Sequence, residues 1–179
     1  MILNAKTMLG AIALAGNLLA IGCTNAVEQP ETTNPTQTAP TTTAQNATND
    51  PIEQLRSTRQ CSGCNLQGAN LENLDLSGVD LSNANLMNAD LDEANLSNAN
   101  LSSANLVNAD LEKANLSNAN LSGANLNNAD LDEANLTGAN LQNATFLNAD
   151  LEDAILTNAN VTGADFQGAD LEGAVGLNR

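Results

Sequence analysis

From Leu66 to Leu171 every fifth residue is apolar. Of these 22 positions, 19 are Leu, and the others are Phe146, Val161 and Phe166. Two residues before each stands a small side chain. It is Ala at all 18 positions from Ala84 to Ala169 and at Ala69, whereas Cys64, Leu74 and Val79 depart near the start. The residue between is Asn or Asp almost throughout, with Thr145 and Ile155 as exceptions. A period of five matches neither the helix at 3.6 nor the strand at 2. It predicts a short extended stroke, a turn, and the same again. The position two after each apolar residue is Gly or Asn at 17 of 22 sites. Those residues tolerate the positive φ that tight turns require.

Held in phase over about 110 residues, the motif A-(N/D)-L-x-x is identified as a member of the pentapeptide-repeat family. The resemblance implies an all-β solenoid, a right-handed quadrilateral β-helix in which four pentapeptides make one square coil. The central Leu and the Ala before it point inward, and 22 units give about five and a half coils stacked at about 4.8 Å. A longer repeat supports that coil independently. Asn88-Ala-Asp-Leu-Asp-Glu-Ala94 returns, with small changes, from Asn108, Asn128 and Asn148, each time 20 residues on. Phe146 and Phe166 are also 20 apart, which predicts that they stack inside one side of adjacent coils.

The flanks differ in character. In residues 1–22, Lys6 precedes an apolar run from Met8 to Gly22, interrupted by Asn17. Its 15 residues are fewer than the roughly 20 of a membrane span, so the run reads as an export signal. It ends Leu19-Ala20-Ile21-Gly22-Cys23, which resembles the box of bacterial lipoproteins. The resemblance implies lipidation at Cys23 and a chain anchored to the outside of a bacterial membrane. Residues 23–49 are rich in Thr, Asn, Gln and Pro, with little apolar bulk to offset ordering entropy. They are expected to form a disordered tether reaching roughly 25–30 Å. Residues 50–60 predict a short helix, with Asp50 as N-cap, Pro51 in the first turn, and Ile52 and Leu55 on one face. It is expected to cover the first coil of a repeat domain at 61–175. Residues 176–179 form a tail with no evident cap, which leaves a homodimer through the last coil as one expectation.

The net charge is −16, with Lys6, Arg56, Arg59, Lys113 and Arg179 the only cations and no His. Loss of residues 1–22 would leave 21 acids against 4 bases, or −17. Binding to a nucleic-acid backbone needs clustered Lys and Arg, and that function class is excluded. The coil of 20 sorts the acids into columns. One holds Glu72, Asp92, Glu112, Asp132, Glu152 and Glu172; a second holds Asp90, Asp110, Asp130, Asp150 and Asp170; a third holds Glu93, Lys113, Glu133 and Asp153. They contain 14 of the 17 acids in the repeat, so one face is acidic and three are nearly neutral. The face has three readings: a solubilising by-product of duplication, a contact surface for an unknown basic protein partner, or a weak site for divalent cations. A modest apolar stripe, Met87, Val107 and Leu147, lies on a neighbouring face.

Cys61 and Cys64 fall at the phases of a central Leu and of an Ala, so both should face the mouth of the first coil. A disulfide clipping the helix to the solenoid, two buried thiols, and redox or metal chemistry are the alternatives. With no His and no second Cys pair, a zinc site is not expected, and no cofactor or other metal is assigned. A filled interior and carboxylates on an open face do not suit catalysis. The expected function is therefore a non-catalytic, envelope-anchored structural or protein-interaction module. The alternative implied by the resemblance is a DNA-mimicking protein that protects gyrase, which an export signal opposes.

Overall fold

The computed structural model describes residues 50–177. The readings placed on 1–22, on Cys23 and on 23–49, like the last two residues, lie outside the described residues.

Helix α1 (Pro51–Thr58) begins where Asp50 Oδ1 accepts the N–H of Ile52 at 2.9 Å, with Pro51 in the first turn. It ends two residues short of the expected 60. Arg59 adopts the left-handed conformation at φ 55° and its N–H bonds Leu55 O at 3.0 Å. Leu55 is 1% exposed and belongs to the same apolar cluster as the coil residues, and Ile52 packs against it.

From Gln60↔Asp80 to Ile155↔Val175, every bridge is parallel and joins residues 20 apart. The hydrogen bonds explain why. Each central residue from Leu66 to Leu156 donates its N–H to the next coil, as Leu91 to Asp110 O at 2.7 Å. The residue just before each central one, from Asp80 on, donates its N–H to the previous coil, as Asn105 to Ala84 O at 2.9 Å. Within a unit, the Ala N–H closes the turn on the preceding Leu O, as Ala94 on Leu91 at 3.0 Å. Backbone groups are thus satisfied between and within coils, which lets Leu and Ala fill the centre. Every described central residue from Leu66 to Leu156 is at most 3% exposed. Each Leu so buried contributes about 1.5–3 kcal/mol before entropy is subtracted.

The turn rule is stricter than its sequence signature. All 22 positions two after a central residue have positive φ, including Glu93, Ser103, Lys113, Glu133 and Asp153 at 53–57°. Gly and Asn are the easy solutions, and these five are strained ones. The departures from Ala are also explained. Val79 is buried and Leu74 packs, partly buried, against the core of the first coils, and their extra bulk lines the mouth beneath α1 together with Leu55. Phe146 and Phe166 stack with ring centroids 4.8 Å apart and planes 10° from parallel. Beyond Leu156 cover falls away, and Val161, Phe166 and Leu171 are only partly buried. The repeat stops at Gly176, which stands at the phase of a central Leu but takes φ 90°.

Candidate functional site: a carboxylate face

The four sides are identified here by their first central residues, Leu66, Leu71, Leu76 and Leu81. The acidic columns all fall on the Leu71 side. The bridges Asp90↔Asp110, Asp110↔Asp130, Asp130↔Asp150 and Asp150↔Asp170 stack one column coil upon coil. In each case Oδ1 is engaged by its own turn: Asp110 accepts from Glu112 N at 3.1 Å, and Asp130 from Asp132 N at 3.0 Å. Glu72, Asp92, Glu112, Asp132, Glu152 and Glu172 follow two residues after this column, and Glu93, Lys113, Glu133 and Asp153 occupy the turns.

The other sides show what is unusual here. At the equivalent position they carry mostly Asn, and the amide of one coil donates to the residue one coil earlier. Asn105 reaches Asn85 at 3.1 Å, Asn115 reaches Asn95 at 3.3 Å, and Asn120 reaches Asn100 at 3.1 Å. On the Leu71 side Asp sits against Asp, with no donor between them. That ladder is legible in the sequence as Asn recurring at intervals of 20, although its significance emerges only once the coils are stacked.

The electrostatics follow. Partial burial raises the pKa of Asp130 first; the Asp132 N–H opposes this, and the charges of Asp110, Asp150 and Glu112 add to the rise. Asp92 is also raised, by desolvation and then by Glu93, Glu112 and Asp110. The residue is only half-buried, but its Oδ1 is covered and has no hydrogen-bond partner. Glu152 is raised chiefly by the charge of Asp132. Lys113 bonds Glu112 and lies 3.9 Å from Glu133, and its own pKa is raised mainly by the Glu112 bond. By contrast Asp75 and Asp80, off this face, are lowered by hydrogen bonds from Ser77 and Ser82.

The arrangement spreads carboxylates along a line. Among the described residues no three His, Cys, Asp or Glu converge to hold a metal ion. A cavity of about 110 Å³ lies between α1 and the first coils, lined by Leu55, Leu74, Leu76 and Val79 with Arg56, Arg59 and Asp75. Arg59 there is committed to Asp75 at 3.3 Å and to Ser77 O at 2.6 Å. No described helix is long and apolar enough to cross a membrane.

A disulfide joins Cys61 and Cys64. It spans the first and fourth residues of one turn, around Gly63 at φ 69°, the same pair whose backbone closes at 3.1 Å. The bond therefore locks a corner of the first coil and does not tie α1 to the solenoid. Cys61 Sγ lies 3.4 Å from Pro51 O, a packing contact, because a disulfide sulfur has no proton to donate. The Met87, Val107 and Leu147 stripe is half-buried on the Leu66 side.

Comparison with known proteins places this geometry. The family described as "Pentapeptide repeats (8 copies)" matches residues 60–98, 94–132 and 134–173. No curated protein matches. Among solved structures, the chain is similar to a pentapeptide repeat protein of the Arabidopsis thaliana thylakoid lumen, at 32% identity over 60% of this chain and 71% of that one, with TM-score 0.46. It is similar to a pentapeptide repeat protein of the cyanobacterium Cyanothece 51142, at 34% identity over 70% and 96%, with TM-score 0.33. It is also similar to QnrB1, a plasmid-mediated fluoroquinolone resistance protein, at 17% identity over 66% and 82%, with TM-score 0.37.

Proposed function

The chain belongs to the pentapeptide-repeat family, and on that premise we propose that it is a non-catalytic interaction module held at the bacterial envelope, with the Leu71 side as its contact surface for a basic protein partner. The observation that carries this reading is the sorting of charge. Carboxylates occupy three adjacent columns of one side; the bridged Asp column lacks the amide donors that relieve the other sides, and Glu93, Glu133 and Asp153 hold turn positions at positive φ. An arrangement that costs local stability on one face, while the other faces keep Gly or Asn at every turn but Ser103, is expected where a partner supplies the missing positive charge. In this reading α1 covers the first coil of the right-handed solenoid that the family implies. Cys23 carries the lipid, and residues 23–49 act as the tether.

The test is a crosslinked pull-down from intact envelopes with the full chain and with the variant D92N/E112Q/D132N/E152Q. Retrieval of a basic protein by the first and not the second supports the reading. Equal retrieval by both means that the face is not the contact surface. Palmitate labelling that is lost in Cys23→Ala tests the anchor. A second reading, mimicry of a nucleic-acid surface before a cytoplasmic enzyme, is favoured by the one-sided acidic columns. It would replace the first if the chain were found soluble in the cytoplasm and inhibited DNA binding by gyrase.

A further inference from the structure

The sides beyond the carboxylate columns are not alike. Just after the central residue, the Leu76 side holds Ser97, Ser117, Thr137 and Thr157, and the Leu81 side holds Ser82, Ser102, Ser122, Gln142 and Thr162. On the Leu66 side the same position holds Met87, Val107 and Leu147, all half-buried, with Asn127 between the last two. Asn127 does not break this row with a free amide oxygen, because its Oδ1 accepts the Leu147 N–H at 3.0 Å. The bond has a local cause. The N–H groups of Met87 and Val107 are held by Asn85 and Asn105, each at 3.4 Å, whereas Thr145 stands where that Asn would serve Leu147. No charged side chain lies on the Leu66 side between the coils of Gln67 and Leu147.

This apolar row adjoins the acidic side. Around the corner, past the exposed Asn88, Asn108, Asn128 and Asn148, stands the column of Asp90, Asp110, Asp130 and Asp150. Each of these Asp residues engages Oδ1 with the N–H of its own turn, at 3.0 to 3.3 Å. Among the described residues no cation pairs with any of the four, since Lys113 is taken by Glu112 and Glu133. The other flank of the carboxylates is lined by Asn95, Asn115 and Asn135. One edge of the solenoid therefore sets an apolar row beside an anionic row, both parallel to the axis.

From this juxtaposition we infer that the edge docks a basic amphipathic helix of the partner, laid along the solenoid axis. Its apolar stripe rests on Met87, Val107 and Leu147, and its cationic flank on the Asp column. The inference rests on the proposed contact with a basic partner and extends that surface onto a second side. Charge complementarity selects the flank, because unpaired carboxylates favour Lys or Arg beside them. Spacing selects the helix. At a coil spacing of about 4.8 Å, Val107 and Leu147 stand about 4.8 and 14.4 Å along the axis from Met87. A helix places residues i+3 and i+10 about 4.5 and 15 Å from residue i, on one stripe. An extended strand repeats each face about every 6.7 Å and falls about 2 Å out of step at Val107. Met87, unbranched and polarisable, adapts to the helix side chain above it.

The probe is a synthetic amphipathic peptide with Leu at every third or fourth position and Lys along one flank, set against a scramble of the same composition. Fluorescence anisotropy reads the affinity of each for the full chain in neutral-phospholipid nanodiscs, with empty discs as the blank. The amphipathic peptide is expected to bind roughly tenfold tighter than the scramble and to weaken roughly tenfold as NaCl rises from about 0.05 to 0.5 M. Circular dichroism should show it turning helical when bound. The variant M87S/V107S/L147S should lose the preference and bind the scramble as the parent does. Ser already holds this phase at Ser97, Ser102, Ser117 and Ser122, so the variant is expected to fold, and a melting curve checks that. Equal binding of both peptides by the parent, a preference that survives in M87S/V107S/L147S, or a bound peptide that stays non-helical would overturn the inference and leave the acidic contact surface standing. Binding of both peptides that is indifferent to salt would instead remove the charge reading beneath it.

Discussion

Replacing Asp130 by Asn should stabilise this protein at neutral pH, although Asp130 holds a regular position of the repeat. Asp130 is partly buried between Asp110 and Asp150 in the stacked column. Two unit charges at a coil spacing of about 4.8 Å repel by about 1 kcal/mol in bulk water, and salt at 0.15 M reduces this by about half. Removing two such neighbours returns about 1 kcal/mol. The new amide can donate to Asp110 as Asn120 does to Asn100 at 3.1 Å, adding about 0.5–1.5 kcal/mol. Its Oδ1 can still accept the Asp132 N–H, so the turn is kept. The sum is about 1.5–2.5 kcal/mol, or several degrees in melting temperature. The pH dependence has a definite sign. Asp130, Asp92 and Glu152 have pKa values raised in the folded state. The native chain therefore binds more protons than the unfolded one, and stability increases as pH falls from neutrality towards the ordinary Asp value of 3.8. Asp75 and Asp80, whose values are lowered, withdraw their contribution only as pH falls below that value. Thermal melts at pH 7.5 and pH 4.5 should show the parent gaining stability on acidification and Asp130→Asn gaining less. A melting temperature for Asp130→Asn below that of the parent at pH 7.5, or a parent that loses stability steadily from pH 7.5 to 5, would refute the reasoning.

Three further outcomes are expected. Leu111→Ala, at a fully buried core position, should cost about 2–5 kcal/mol, and hydrogen exchange should show the coils around it opening first, because each coil touches only its neighbours. Glu133→Asn should raise stability by about 1 kcal/mol in a chemical-denaturation curve, since Glu133 holds φ 55° in a turn that Asn adopts readily. Reducing Cys61–Cys64 should cost about 2 kcal/mol, with faster exchange confined to α1 and the first coil; a loss spread evenly along the solenoid would mean the bond does more than lock one corner.

Most of the fold is legible in the sequence because each unit states the same local rule. A small residue, an Asn or Asp, a Leu, and a turn residue two later determine stroke, core and corner without reference to distant parts of the chain. The interval of 20 between Phe146 and Phe166 is enough to place the two rings in contact. Where the rule is broken, sequence reasoning is less complete. Glu93, Lys113 and Glu133 occupy the same left-handed turns as Asn and Gly, yet their residue types do not announce it. Only the backbone geometry shows that the acidic side carries strain. Leu74 and Val79 read as irregular repeats until α1 is seen above them. Phase puts both cysteines in the first coil, but only the structure shows them bonded across one turn, where they cannot clip the helix. The carboxylate columns themselves follow from counting, whereas the missing amide donors become meaningful only beside the Asn ladders of the other sides.

The account's central claim is that one side of the solenoid meets the partner. Single photo-crosslinking residues placed in intact cells at Glu112, on the acidic side, and at Ser122, on the Leu81 side opposite, test it most directly. Crosslinks to a basic envelope protein from Glu112 and none from Ser122 are the predicted result; equal yields from both positions, or crosslinks from Ser122 alone, would contradict it.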